Sequence, residues 1–363
     1  MNIKEDITEL LQYISTEFGL GQVVSFKEIT SGKVNKTYKV EVEINSRKQS
    51  YIFQNVNTYV FKKPKDVMEN IRRVTEHIER YNPSAICLHY RTTTSGLSYF
   101  DMHTSFWRVY RYIDSVTYNT SRDPIIVRNA GLAFGNFQRS LGNFDPTLLH
   151  TTIANFHNTT ARLATLESSL LADPLDRAAT CTPETRYILS MKPEALVIDH
   201  LAAEGKIPLR VTHNDTKINN VLFDRQTGNA ICVIDLDTVM PGYAGHDFGD
   251  AIRSVANSMG SASLEFDKVH IDLDIFKAFS QGFLAATGSV LTRPEIDSLA
   301  QSSLVITLEL ASRYLNDYLT GDYYFHAAYP TQNLDRARNL IALAKDMHKS
   351  MPQMQSIIQS LSN

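Results

Sequence analysis

The sequence predicts an α+β chain in two lobes: a small mixed N-terminal lobe built on an antiparallel sheet, and a larger, mainly helical C-terminal lobe. Three observations carry that reading. Period-two alternation broken by turn residues dominates the first lobe. Helical spacing of apolar residues dominates from Asp123 onward. One short hairpin, with Asp and Asn at its open end, interrupts the helical part after Arg210. The boundary is drawn to give lobes 1–112 and 113–363.

Taken in order, residues 23–29 read as a strand leading into a turn over 30–35. Residues 37–44 alternate as a half-buried strand does, 45–48 form a turn, and Tyr51 opens the next strand. Gly32, in the loop between the first two strands, allows close backbone approach of a ligand. Pro64–Tyr81 is a helix: Val67, Ile71, Val74 and Ile78 form one apolar face, Pro64 fits the first turn, and Pro83 follows the end. The aromatic-rich run 105–113 is the fifth strand by order, with Trp107 in the core and Arg108 and Arg111 on the opposite face. Beyond it, Ile126, Ala130, Ala133, Phe137 and Leu141 follow helical spacing, as do Leu149, Ile153, Phe156, Thr160 and Leu163. Helices are also expected over 183–203, 275–286, 293–318 and 333–348.

A length of 363 residues suits two domains, and 43% hydrophobic with 21% charged residues is ordinary for a soluble enzyme. A net charge of -3 gives no electrostatic case for nucleic acid or an anionic membrane as partner. The charged N-terminus has no apolar signal core, and no apolar run reaches membrane-spanning length. Cys87, Cys181 and Cys232 are too few and too far apart for a disulfide framework or a zinc site. A cytoplasmic location, where ATP is available, is the expectation.

His213, Asp215 and Asn220 stand in the order H-x-D-x-x-x-x-N, and Asp235 ends the apolar run 231–234. Residues 224–229 have turn composition, so the chain folds back near Thr227 and Gly228. That hairpin sets Phe223 opposite Cys232, Val221 opposite Ile234 and Asn220 opposite Asp235. An amide oxygen and a carboxylate then meet at the open end, both hard oxygen ligands suited to magnesium. Asp215, on the loop feeding the first strand, can face the same ion and accept the proton of an attacking hydroxyl. A base beside metal ligands is what phosphoryl transfer from ATP-magnesium needs. Each residue alone would pass for turn chemistry; the joint spacing separates them from it. Asn214 occupies the place of the Arg in H-R-D, Asp235-Leu236-Asp237 replaces D-F-G, and no A-P-E segment follows, which argues against a protein kinase regulated through its activation loop.

The motif resembles that of the aminoglycoside phosphotransferase and choline kinase superfamily, whose core is H-x-D-x-x-x-x-N followed by I-D-x-[DE]. Within it, residues 212–220 and 233–242 are most similar to N-acetylhexosamine 1-kinases. The resemblance runs over nearly the whole chain and is strongest over 210–253. It implies a protein-kinase-like fold with ATP between the lobes, Asp215 as catalytic base, and Asn220 and Asp235 as magnesium ligands. It also implies that the loop bearing Gly32, Lys33 and Asn35 lies over the nucleotide phosphates. The backbone near Tyr110 and Tyr112 would then hold the adenine, and Arg313 and Tyr324 would contact a sugar.

Several residues are read against that pattern. No lysine stands at the expected third-strand position, where Gln54 is found, so the pairing of a strand lysine with Glu69 of the following helix is in doubt; Lys33 or Lys36 could supply the charge. Asp237 is placed near the transfer site, to bind sugar hydroxyls or help magnesium, or else to cap a turn. Asp250 reads as a helix N-terminal residue, and Asp247 as one that does not reach the site. An arginine at 313 disfavours a cationic acceptor, which needs acidic or aromatic cages. The expected activity is ATP- and magnesium-dependent phosphorylation of the anomeric hydroxyl of an N-acetylhexosamine. The rivals are a kinase of choline, ethanolamine, homoserine or an aminoglycoside, and a nucleotide-binding pseudokinase.

Overall fold

The computed structural model describes residues 3–30 and 34–362, with side chains in the first helix from residue 6 onward. The chain forms two compact units, Met1–Ser115 with Leu149–Thr152, and Val116–Leu148 with Ile153–Asn363.

The first unit contains α1 (Ile3–Glu17), β1 (Gln22–Ile29), β2 (Lys36–Ile44), β3 (Arg47–Val56), α2 (Pro64–Tyr81), β4 (Phe100–Asp101) and β5 (Phe106–Arg111). The five strands make one antiparallel sheet in the order β1-β2-β3-β5-β4. Asn45 and Ser46 both have positive φ (52° and 58°), the geometry of a two-residue hairpin turn whose twist matches its strands. One sheet face buries Tyr38, Val40, Val42, Tyr51, Phe53, Trp107 and Val109 against Leu11 and Ile14 of α1 and Phe18 just past its end. That helix escaped the sequence reading. The other face carries the polar residues Thr37, Gln54 and Arg108, and Arg108 meets Met68 of α2. Strand alternation puts Arg108 opposite Trp107, as expected, but gives Arg111 the parity of Trp107, at the exposed strand end.

The second unit contains α3 (Pro124–Ser140), α4 (Thr159–Ala172), α5 (Thr182–Ser190), α6 (Lys192–Ala195), α7 (Val197–Ala203), β6 (Arg210–Thr212), β7 (Val221–Phe223), β8 (Ala230–Val233), β9 (Met240–Gly242), α8 (Ala244–Val255), α9 (Leu273–Thr287), α10 (Arg293–Thr320), α11 (Gln332–Lys349) and α12 (Met351–Leu361). α3 starts where Asp123 accepts the amide of Ile125 at 2.8 Å, with Pro124 in the first turn. α10 is the spine of the unit: α4, α8, α11 and α12 pack around it, so it is buried on most sides. Glu295 caps its start by accepting the Thr292 amide at 2.7 Å, and Gly321 ends it at φ 117°.

Three helix expectations change. Residues 149–158 are not helical; α4 starts only at Thr159, where Asn158 accepts the amide of Ala161. The stretch 183–203 breaks at Met191 and Leu196 into α5, α6 and α7. α8 begins at Ala244, so Asp250 lies inside the helix rather than at its N-terminus. The hairpin register also differs from the sequence reading. Val221 pairs with Val233 and Leu222 with Cys232, and a bulge then sets Phe223 against Ala230. The turn sits one residue earlier than expected, with Phe223 paired to Ala230, and the bulge that skips Ile231 recovers only one of the two positions, leaving Asn220 next to Ile234 instead of Asp235. Among the described residues no helix is long and apolar enough to cross a membrane.

α3 and α9 touch backbone to backbone. A Cβ on Gly282 would lie 1.9 Å from the Arg128 carbonyl oxygen, and one on Gly131 would lie 2.2 Å from that of Phe279. Neither carbonyl can move without shifting its helix. Gly282→Ala is therefore expected to destabilise the unit by about 2 kcal/mol, seen as a melting temperature lower by several degrees. An unchanged melting curve would contradict this account of the α3–α9 contact.

Candidate active site

β6 is pinned first. Arg210 donates to Glu295 through Nη2 at 2.8 Å and to the Val290 carbonyl at 2.9 Å, which fixes where the strand hands over to the loop at His213. The buried carboxylate of Asp247 then catches that loop. Its Oδ1 accepts the amide of Asn214 at 2.7 Å, and its Oδ2 accepts the amide of His213 at 3.0 Å and Nε2 of Gln138 at 2.6 Å. Burial raises the Asp247 carboxyl above the usual carboxylate range, with its three hydrogen-bond donors pulling the other way. Asp247 thus reaches the loop after all, through backbone amides. One turn on, Asp250 accepts the amide of Thr216 at 2.9 Å. Burial would raise the Asp250 carboxyl as well, but Arg253 and Lys217 outweigh it and hold it below the usual range.

Asn214 takes φ 66°, which its short amide side chain tolerates. That amide donates to the Thr238 carbonyl at 2.8 Å and accepts the Thr212 hydroxyl at 2.9 Å. His213 bridges two segments. Its Nε2 meets the Ile234 carbonyl at 2.9 Å, and its Nδ1 accepts the amide of Asp215 at 3.3 Å, so the ring is neutral with the proton on Nε2. Ile234 in turn donates its amide to the Asn220 carbonyl at 2.9 Å. The loop ends at Asp215 and Asn220 and the strand end before Asp235 are thereby tied to one another.

Asp215 is partly exposed. Its Oδ2 accepts Nδ2 of Asn220 at 3.0 Å, and its Oδ1 pairs with Nζ of Lys217 at 2.9 Å. The Asp215 carboxylate raises the pKa of Lys217, so the amine stays charged. Asn220 also donates Nδ2 to the Asp215 carbonyl at 2.8 Å. With the amide nitrogen committed to Asp215, the amide oxygen is the atom left to serve as a ligand. Asp235 is exposed and left-handed, with φ 62° and ψ 54°. For a non-glycine residue that conformation is strained, and it ends strand alternation at that point. Asp237 consequently does not share a face with Asp235 by strand parity; it is buried in the following 3₁₀ turn Leu236–Thr238. An amide oxygen and an exposed carboxylate are donors that fit magnesium alongside phosphate oxygens and water.

Behind the loop lies a buried polar cluster. Nδ1 of His157 pairs with Glu309 at 2.8 Å, its Nε2 meets the Asn214 carbonyl at 3.3 Å, and Thr159 donates to the second Glu309 oxygen at 2.8 Å. Burial alone would lower the pKa of His157, but the Glu309 carboxylate overrides it and holds it above the ordinary histidine value. Burial would raise Glu309, and His157 holds it down instead. The ring of His246, 4.9 Å from that of His157, is pushed down to about 3 by burial and by its charged neighbour. Neither of its ring nitrogens has a hydrogen-bond partner among the described residues.

Arg313 and Tyr324 do come together, with Nη2 of the arginine 3.5 Å from the phenol oxygen. The guanidinium lies 5.3 Å from the Phe156 ring, 5.6 Å from that of Tyr324 and 5.4 Å from that of Phe325. Asp317 fixes the turn after α10 by accepting the amides of Tyr324 at 2.9 Å and Phe325 at 2.8 Å. In the first unit, Gly32 and Lys33 lie outside the described residues. Asn35 accepts the Asn57 amide at 3.0 Å, and Lys36 is exposed at the start of β2. Tyr110 pairs with Ile52 and packs its ring against Tyr90. Tyr112 donates its amide to Ser50 at 3.0 Å, with Nζ of Lys39 3.6 Å above its ring. Glu69 faces Arg73 and His150, not a strand cation.

Sequence reasoning overlooked Lys217, His157 and Glu309. Lys217 was visible inside the motif. The His157–Glu309 pair spans 152 residues and leaves no local pattern to find.

The Phosphotransferase enzyme family model matches residues 25–270. Among solved structures, a microcompartment-associated aminopropanol kinase is similar at a TM-score of 0.62 and 13% identity, over 96% of this chain and 98% of the other. A choline kinase from Cryptosporidium parvum Iowa II is similar at a TM-score of 0.61 and 14% identity, over 98% and 100%. A spectinomycin phosphotransferase in complex with ADP and spectinomycin follows at a TM-score of 0.59 and 12% identity, over 94% and 98%. These likenesses establish the kinase-like fold.

The His157–Glu309 pair makes stability depend on pH. Because the His157 pKa is raised, its contribution is complete below the ordinary value of 6.5 and is lost as pH rises through the raised value. Because the Glu309 pKa is lowered, its contribution is present above 4.5 and is lost as pH falls through the lowered value. Glu309→Gln is thus expected to cost about 3 kcal/mol at a pH between those two values, and less in alkali. Urea unfolding of both proteins across pH checks this; a cost that does not change with pH would contradict it.

Proposed function

The chain belongs to the phosphotransferase enzyme family, and on that footing we propose that it is an ATP- and magnesium-dependent kinase of the anomeric hydroxyl of an N-acetylhexosamine. The observation that supports the reading is the linkage of Asp215, Asn220 and the end of β8, just before Asp235, through His213 and the Asn220–Ile234 bond. Asp215 orients the acceptor hydroxyl and takes its proton as the oxygen attacks the γ-phosphorus in line. The bond from phosphorus to the ADP oxygen breaks, giving a sugar 1-phosphate and ADP. Magnesium, held by the Asn220 amide oxygen and the Asp235 carboxylate, would offset the charge on the β- and γ-phosphates. The rest of the catalysis is positioning, supplied by the loop that Asp247 holds.

In this reading the first unit takes the nucleotide. The backbone from Tyr110 to Tyr112 meets the adenine, and the loop bearing Gly32, Lys33 and Asn35 covers the phosphates. Because the Asn35 amide oxygen is engaged with Asn57, its contribution comes through the backbone. Arg313 and Tyr324 supply the acceptor side, with Asp237 assigned there as well. A guanidinium already ringed by Phe156, Tyr324 and Phe325 suits a neutral, hydroxyl-rich acceptor and repels a cationic one.

Asp215→Ala is expected to lower turnover by roughly a hundredfold to ten-thousandfold while ATP still binds, the range ascribed to a general base. Near-native turnover in that variant would remove Asp215 as base. In a coupled ADP-release assay, N-acetylhexosamines are expected to drive ATP consumption where choline, ethanolamine, homoserine and aminoglycosides do not. Arg313→Ala should raise the KM for the sugar about tenfold, the worth of one charged hydrogen bond, and leave the KM for ATP alone. Turnover with an amino-alcohol but with no hexosamine would overturn the substrate assignment.

A further inference from the structure

Phosphotransferases of this fold need a cation from the strand lobe on the nucleotide phosphates; in protein kinases it is a lysine on the third strand, paired with an acid on the next helix. Here β3 has basic residues only at its first two positions, Arg47 and Lys48, at the exposed hairpin end. Lys48 pairs with Glu41. Glu69 of the helix that follows is turned to Arg73 and His150.

A different cation occupies the middle of that sheet face. Gln54 of β3 stands in register with Thr37 of β2 on one side and Arg108 of β5 on the other. Directly opposed residues share a face, and the side chains join into a file: Arg108 Nε donates to Gln54 Oε1 at 3.1 Å, and Gln54 Nε2 donates to the Thr37 hydroxyl at 3.1 Å. Thr37 lies just past the loop between β1 and β2, so the file runs from the foot of that loop to the guanidinium. A lysine at 54 would repel Arg108, whereas an amide accepts from the arginine on one side and donates to the hydroxyl on the other. Met68 Sδ, 3.9 Å from Nη1, and the Tyr90 ring, 5.2 Å from Cζ, fix the guanidinium further. Among the described residues of this unit, Arg108 is the one buried cation, at 1% exposure.

We propose that Arg108, aimed by Gln54, is the cation that the nucleotide's phosphate chain meets in the first unit, taking the part of the missing third-strand lysine. This rests on the kinase reading above. Arginine suits the task because its charge persists at every working pH and its planar fork can bind phosphate through two parallel bonds. The proposal also accounts for the pairing of Gln54 with Arg108 across the two strands.

The test compares ATP with adenosine, because adenosine lacks the phosphates. Calorimetry on the full chain with magnesium should show Arg108→Met binding ATP at least tenfold more weakly than wild type, with adenosine affinity changed less than twofold. Arg108→Gln, which keeps a donor for Gln54, should behave alike, and Arg108→Lys should recover part of the preference for ATP. In the coupled assay, the KM for ATP should rise while the KM for the acceptor holds. Arg108→Met or Arg108→Gln variants that stay folded and favour ATP over adenosine as strongly as wild type would overturn the proposal and leave the kinase reading intact. So would equal losses for both ligands accompanied by a lower melting temperature, the signature of a purely structural arginine. A wild-type chain that binds adenosine but not ATP would remove the kinase reading, and the proposal with it.

Discussion

The candidate site depends on one buried carboxylate. Asp247 accepts the successive amides of His213 and Asn214, which a left-handed Asn214 turns toward it. Without that acceptor, two buried amides would lose their partners, at a cost of about 1–3 kcal/mol each. The loop would then be free to relax out of the conformation that aims Asp215. Asp250 repeats the device for Thr216, and the His157–Glu309 pair reaches the Asn214 carbonyl from a third side. The partly exposed Asp215 is therefore held by groups that are themselves buried.

His213 extends that constraint to the ion ligands. A neutral imidazole that takes the Asp215 amide on one nitrogen and gives its proton to the Ile234 carbonyl with the other keeps two sequence-distant segments in step. The left-handed turn at Asp235 then ends the strand at an exposed residue. The strain there is of the kind retained at functional sites because the surrounding hydrogen bonds enforce it.

The motif was legible in the sequence because its parts are close together: Asp215 and Asn220 share one loop, and Asp235 lies one hairpin away. The sheet of the first unit was legible from alternation, and α2 from its apolar face. What failed did so for physical reasons. The hairpin register slipped because the turn centres on Gln226 and Thr227, one residue earlier than its composition suggests, and the bulge that skips Ile231 recovers only part of the shift. Residues 149–158 have helical spacing, yet tertiary context keeps them in bends and turns. Asp250 has the character of a helix N-terminal residue, which would start α8 late, whereas its carboxylate serves the loop instead. The supporting cluster of His157, Glu309 and His246 exists only once α8 and α10 are packed together, so no window of sequence displays it.

The account turns on where a divalent cation sits when nucleotide is bound. Crystals soaked with manganese and a non-hydrolysable ATP analogue would place that ion by its anomalous signal. The expected result is an ion about 2.1 Å from the Asn220 amide oxygen and an Asp235 carboxylate oxygen, with the Asp215 carboxylate facing the terminal phosphate. An ion and triphosphate bound away from Asn220 and Asp235 would contradict it.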